Sequence, residues 1–178
     1  METAGAGRDA VGLNTDVFSA TLAERIDLTD VVARFVVEPD DGPDPFEPGQ
    51  YITLGLLDGD RLLQRPYSTA SPKGSRSHHE FLIRRVPGGT LTPLLWTVPV
   101  GRRVRIGRRK GKFVLTPGDE RTHLFVATGT GLAPFVSMLR TLLESPVRRG
   151  RSSSTGCRTR ASSVIAIVSK TGSGKGDR

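Results

Sequence analysis

Arg65-Pro66-Tyr67-Ser68 places a cation, a flat aromatic ring and a hydroxyl within four residues. In an extended strand, where side chains alternate between faces, Arg65 and Tyr67 share one face. A guanidinium neutralises phosphate oxygens and hydrogen-bonds them in pairs, an aromatic ring stacks on another flat ring, and a hydroxyl hydrogen-bonds a polar edge. A flavin dinucleotide offers a counterpart for each: a diphosphate, an isoalloxazine ring and the N5 edge of that ring. Taken alone, the tetrapeptide would equally make an ordinary strand with an exposed arginine and a half-buried tyrosine.

A second group is Thr128-Gly129-Thr130-Gly131-Leu132-Ala133-Pro134. It lies between an apolar run at 123–127, which reads as a buried strand, and an apolar-faced helix at 135–143. That is the setting of a dinucleotide-binding loop, whose glycines let the backbone approach phosphate closely. Pro134 replaces the last glycine of the common pattern, and proline at a helix start loses no needed hydrogen bond. The bland alternative is a tight strand-to-helix turn. Gly172-Ser173-Gly174-Lys175 has the look of a phosphate loop, but Ser169 stands where its first glycine belongs and no Ser or Thr follows Lys175. It is set aside.

These groups must be held by elements that the punctuation of the chain outlines. Strand-like runs at 17–26, 31–37, 51–57, 61–70, 80–86, 103–106 and 112–115 are separated by Pro, Gly and Asp clusters, the spacing of an antiparallel barrel. Thr90 to Thr97 reads as one short helix, with Leu91, Leu94 and Leu95 at helical spacing and Pro93 within the first turn. The strand, glycine turn and helix from residue 123 onwards read as the opening of a βαβ unit.

Composition supports many turns and short strands: the 178 residues include 21 Gly and 12 Pro. The length suits one complete domain and part of a second. Residues 1–16 lack periodicity and read as a flexible lead-in. No leader-length or membrane-length apolar run is present, so a cytoplasmic protein that does not cross a membrane is expected. The lone Cys157 makes neither an internal disulfide nor a metal cluster, and no metal is expected. Of the net charge of +8, the stretch from Arg148 to Arg178 carries +7, with eight Lys/Arg against Asp177. A second basic run, Arg102, Arg103, Arg105, Arg108, Arg109, Lys110 and Lys112, would be either a solvated rim or a docking surface for an acidic protein. A basic nucleic-acid-contacting barrel is the rival reading of that run, weakened by the scarcity of aromatics for base stacking.

Three motifs in order carry a family resemblance: the Pro48-Gly49-Gln50 turn before a strand, Arg65-Pro66-Tyr67-Ser68, and Gly89-Thr90-Leu91-Thr92 at a helix start. Together they resemble the flavin barrel of the ferredoxin-NADP reductase family, over about residues 17–144. The resemblance implies a six-stranded antiparallel FAD-binding barrel at 17–117, followed by an incomplete Rossmann-like NADP-binding domain whose start occupies 118–147. It implies that Arg65 holds the FAD diphosphate, with Pro66 beside it in the motif, that Tyr67 stacks on the isoalloxazine and that Ser68 approaches N5. Leu82 would line the adenosine side. Thr90, Leu91 and Thr92 would offer backbone N–H groups to the diphosphate, where helix-start donors favour an anion, though Thr92 could equally be a simple cap. Thr128 would lie near the flavin ring, with Gly129, Thr130, Gly131 and Pro134 facing NADP(H).

The implied reaction is hydride transfer between NADPH and FAD, with electrons exchanged with ferredoxin or flavodoxin, in a monomer. The reductase component of an oxygenase, using NADH, is the close rival, and an inactive FAD-binding fragment is a third possibility. The chain departs from the family beyond Glu144, where further strands are expected and an Arg/Ser/Gly/Thr-rich stretch stands instead. Residues 148–178 read as a disordered or frameshifted tail. Ser codons of the TCN type read one base earlier give Val, Leu, Ile or Phe, so such a shift would turn the polar tail into an apolar strand. Sequencing the gene tests that.

Overall fold

Short β-prone runs broken by turn residues can bury apolar side chains only by pairing into a sheet that curls over its own inner face. The computed structural model describes residues 18–116 and 123–144, together with the backbone of 155–160 and 163–168. Its first six strands are β1 (Ala20–Asp27), β2 (Val32–Pro39), β3 (Tyr51–Asp58), β4 (Arg61–Ser68), β5 (His79–Arg84) and β6 (Arg103–Ile106). They pair antiparallel in the order β4-β3-β6-β1-β2-β5. This is the six-stranded antiparallel barrel that the sequence implied.

Alternation places Leu22, Phe35, Ile52, Leu54, Phe81 and Ile83 on the inner face, all essentially buried. Helix α1 (Leu91–Thr97) inserts Leu91 and Leu95 into the same core. The two edge strands, β4 and β5, meet at one end only. There Thr69 bridges Phe81, and the Ala70 N–H donates to the Glu80 carbonyl at 2.8 Å.

Of the seven runs, the last does not become a strand. Lys110 bridges Tyr51 with two backbone bonds of 2.8 Å, and residues 111–116 then leave the sheet. The reason is a competing contact: Phe113 packs edge-on against Phe135, ring centres 5.6 Å apart.

The second unit holds β7 (His123–Thr128), a tight turn of 3-10 helix over Gly129–Leu132, α2 (Ala133–Glu144), β8 (Thr155–Arg160) and β9 (Ser163–Val168). Its three strands lie in the order β7-β9-β8, every neighbour antiparallel. The opening of a βαβ unit was expected here; β8, the strand after α2, does run parallel to β7, but β9, antiparallel to both, lies between them. The two residues between β8 and β9 are too few for a crossover, which forces the antiparallel turn. β9 contains the one apolar run of the tail and takes the central place in the sheet. The remaining residues of the tail and the N-terminal lead-in lie outside the described residues. Among those described, no helix is long and apolar enough to cross a membrane.

Candidate functional site

Away from the Thr69–Phe81 bridge the two barrel edges diverge, and a cleft of about 700 Å³ opens between them. β4 contributes Arg65, Pro66 and Tyr67, β5 contributes Leu82, Ile83 and Arg84, and the loop into α1 contributes Val86, Gly88, Gly89 and Thr90, with Leu91 and Thr92 from the helix itself. From the second unit comes Thr130. Seven sequence-selected barrel residues, Arg65, Pro66, Tyr67, Leu82, Thr90, Leu91 and Thr92, thus share one cleft. Ser68 does not line it; half-buried, it ends β4 opposite Tyr51, beside the closed end of the seam. Thr128, Gly129, Gly131 and Pro134 do not line it either.

Pairing explains the placement of the arginine and tyrosine. Arg65 stands opposite Leu54 and Tyr67 opposite Ile52, so both point to the side of the sheet that builds the core. Tyr67 packs edge-on against Phe81 at 6.4 Å. Burial pushes its phenol up to about 12, against the opposing pull of the Arg65 charge, so the hydroxyl stays protonated at neutral pH. Arg65 is exposed but steadied: one nitrogen donates to the Gln64 carbonyl at 2.7 Å and the other to Thr90 Oγ1 at 3.2 Å. Thr90 precedes α1 without capping it by its side chain. Thr92 Oγ1 accepts the Val86 N–H at 3.0 Å, so its hydroxyl closes the loop ahead of the helix. The first-turn N–H groups of α1 have no acceptor within the helix.

The donor set decides what fits. Two guanidinium groups and helix-start N–H groups line the cleft, no carboxylate does, and Tyr67, Leu82 and Val86 supply apolar wall. That chemistry suits an anionic group joined to a flat, largely apolar one, as FAD is.

The glycine turn is set beside the cleft by α2. Gly129 has φ +53°, and a Cβ at Gly129 or Gly131 would meet no atom within 4 Å, so the backbone there is open to approach. Three polar residues on one face of α2 anchor it to the chain that continues from Ser68. Ser137 Oγ donates to the Ser71 carbonyl at 2.5 Å, and the Lys73 N–H donates to Thr141 Oγ1 at 2.7 Å. Arg140 donates to the Ala70 carbonyl at 3.3 Å and to the buried Glu80 carboxylate at 2.8 Å. Glu80 also meets Arg34 and His78, each at 3.4 Å.

Sequence reasoning missed this clasp. The signal was the recurrence of Ser137, Arg140 and Thr141 at helical i, i+3, i+4 spacing beside an apolar stripe. It also missed the work of Gly49. With φ +101°, a Cβ there would stand 1.8 Å from the Phe113 carbonyl and 2.6 Å from the Met138 methyl. The Pro-Gly-Gln turn is therefore the junction where barrel, basic loop and α2 meet. Gln50 ties it further, accepting the Glu47 N–H at 2.9 Å and donating to the Gly111 carbonyl at 3.2 Å.

The basic run divides. Arg103 is committed to both Asp40 oxygens and to Thr21 Oγ1 at 2.8 Å. The hydrogen bond from Arg103 holds the Asp40 carboxyl below its usual range. Arg108, Arg109, Lys110 and Lys112 are exposed. Since Tyr51 pairs with both Lys110 and Ser68, this exposed group begins two strands from Ser68.

Comparison with known proteins agrees with this geometry. The family described as the oxidoreductase FAD-binding domain matches residues 19–115. Ferredoxin--NADP reductase B of Sorangium cellulosum (strain So ce56) is 33% identical over 134 residues, 75% of this chain and 55% of that protein. Reductase component 1 of the terephthalate 1,2-dioxygenase of a Comamonas species is 36% identical over 104 residues, 58% of this chain and 30% of that protein. The crystal structure of an Amycolatopsis cytochrome P450 reductase superposes with a TM-score of 0.60 at 32% identity, covering 71% of this chain and 38% of the other. The chain thus spans about a third to a half of the length of these relatives. With its barrel matched from end to end and a cleft whose donors suit a flavin dinucleotide, the chain belongs to the oxidoreductase FAD-binding domain family, among whose relatives are ferredoxin-NADP reductases.

Proposed function

We propose that the chain is the flavin-holding part, with the opening of the nicotinamide part, of a ferredoxin- or flavodoxin-NADP reductase type of oxidoreductase. Its reaction is hydride transfer between NADPH and FAD, with electrons passed to or from ferredoxin or flavodoxin. The observation that carries this reading is the gathering of Arg65, Tyr67, Leu82 and the Thr90–Thr92 turn in one cleft with Thr130 of the glycine turn. FAD supplies the redox chemistry when bound.

The residues of the chain bind and orient. Arg65, steadied by Thr90, neutralises the diphosphate together with the N–H groups at the start of α1. Tyr67 offers its ring face and a hydroxyl that burial keeps as a donor. Leu82 lies on the adenosine side, and Ser68, at the closed end of the seam, serves the N5 edge. Thr128, Gly129, Thr130, Gly131 and Pro134 face the nicotinamide dinucleotide, and α2, anchored through Ser137 and Arg140, keeps that turn at a fixed distance from β4. Arg108, Arg109, Lys110 and Lys112 receive the acidic carrier.

A second reading, the NADH-dependent reductase component of an oxygenase, is favoured by the 36% identity to the Comamonas protein. The test is the visible spectrum of the purified chain, followed by NADPH or NADH without oxygen. A flavin spectrum bleached by NADPH supports the first reading, and bleaching by NADH alone supports the second. A flavin spectrum unchanged by either means a flavin-loaded fragment. A chain that stays colourless with added FAD overturns the flavin site.

A further inference from the structure

The outer face of the barrel carries a row of alternating charge that ends on α2. Alternation turns Phe35, Phe81 and Ile83 into the core and leaves Glu24, Arg34 and Glu80 on the outside. Glu24 and Glu80 each stand opposite Val36, from the two strands that flank β2, and Arg34 is diagonal to both. Arg34 reaches Glu24 at 3.0 Å and Glu80 at 3.4 Å, and Arg140 of α2 reaches Glu80 at 2.8 Å. The Glu24 end is exposed, so water screens it. The Glu80 side chain is only 5% exposed, and its charge must be met by Arg34, His78 and Arg140. Of these, Arg140 alone belongs to the second unit.

Glu80 is also fixed through its backbone. Its N–H donates to Ser71 Oγ at 2.6 Å and its carbonyl accepts the Ala70 N–H at 2.8 Å, which ties it to the chain continuing from Ser68. Arg140 lies two turns along α2 from the glycine turn, about 10 Å. A helix is stiff over that length, so the grip on Arg140 sets where the turn stands against the cleft, which Thr130 helps to line. Neither Glu80 nor Arg140 lines the cleft itself.

We propose that Glu80 is a positioning residue for the hydride step: through Arg140 it keeps the glycine turn, and the nucleotide facing it, at the separation from the flavin that transfer needs, without adding to the hold on FAD. This rests on the reductase reading above. No proton or electron passes over Glu80; its part is to place one reactant against the other. A misplacement of about 1 Å costs on the order of a hundredfold in such a step, so even a partial loosening of α2 shows in the rate. FAD affinity is spared because Arg65, Tyr67 and the start of α1 all belong to the barrel.

The experiment is stopped-flow reduction of the FAD-loaded full chain by NADPH without oxygen, with FAD affinity followed in parallel by flavin fluorescence. The variants are Glu80→Gln, which keeps the size of the side chain and removes its charge, Arg140→Gln, the two combined, and Glu24→Gln. Each of the first two is expected to slow reduction at saturating NADPH about tenfold and to leave FAD affinity within about twofold. The combined variant is expected to be no slower than the slower single one, because both changes remove the same interaction. Glu24→Gln, at the exposed end of the row, should stay within about twofold of the wild type. A general loss of fold would instead lower FAD affinity and leave the rate per bound flavin unchanged. Unchanged rates, FAD affinity falling in step with the rate, or single effects that multiply in the combined variant would overturn the inference while the reductase reading stands. If the wild type takes up FAD but neither NADPH nor NADH reduces it, the hydride reading falls and this inference with it; if it takes up no FAD, the flavin site falls as well.

Discussion

The barrel covers its own core, while in the unit after it β7 is covered on one side. The buried inner-face residues of β1 to β6, such as Leu22, Phe35, Ile52, Leu63, Phe81 and Val104, form one cluster with Leu91 and Leu95 of α1. In β7, Phe125 and Ala127 are buried beneath α2, but Leu124 and Val126 on the other side are 61% and 58% exposed. The second unit meets the barrel through Ser137, Arg140, Thr141 and Met138. A ligand site assembled from both halves is therefore only as well placed as that junction.

The strongest way to break the relation is Gly49→Ala. A methyl group cannot share space with the Phe113 carbonyl and Met138, and φ +101° disfavours any side chain, so a loss of about 3 kcal/mol or more is expected in urea unfolding. Gly129→Ala, at positive φ but in open space, should cost about 1 kcal/mol. Equal losses for the two glycines would show that the junction does not depend on this close approach.

Acid should strike the barrel first. His79 is buried between Phe46 and Phe81, its Nδ1 without a partner among the described residues, and burial pushes it down to about 4. Because the folded value lies below the unfolded one, the unfolded chain binds the extra proton. Stability is therefore full above about pH 6.5 and falls as pH drops toward 4, by up to about 3 kcal/mol. Urea midpoints between pH 7 and 4.5 check this, and His79→Phe should flatten the slope.

Arg65→Ala should lower FAD affinity about tenfold or more, whereas Arg109→Ala should change it by less than about twofold. Comparable losses would move the diphosphate out of the cleft. The last and most local effect concerns the clasp. Arg140→Ala leaves Glu80 with Arg34 and His78, so about 1 to 2 kcal/mol should be lost, read as faster amide exchange over 133–144 with β1 to β6 unchanged. Uniform acceleration through the barrel would mean that the two units unfold as one.

Much of the barrel was legible because its signals are local. Turn residues marked the strands, period-two alternation put Arg65 and Tyr67 on one face, and leucine spacing gave α1. What was illegible depends on residues far apart. Lys112–Leu115 has strand composition, yet Phe113 finds Phe135 and the segment leaves the sheet. Gly49 gave no hint that the Phe113 carbonyl and Met138 would approach it from 64 and 89 residues away. Glu80 reads as an outward strand residue, and only the docking of α2 makes it a buried hub. The antiparallel pairing of β7 with β9 likewise follows from where an apolar run can reach, which alternation does not encode.

The parting of β4 and β5 has a consequence beyond ligand binding. A closed barrel hides its strand edges, and these two stay paired only near Thr69 and Phe81. Unpaired backbone along an edge is a template for strands of other chains. A ligand lying in the seam would act as the missing staple and shield both edges at once. Flavin supply during synthesis should then govern how much of the chain stays dispersed and how much aggregates.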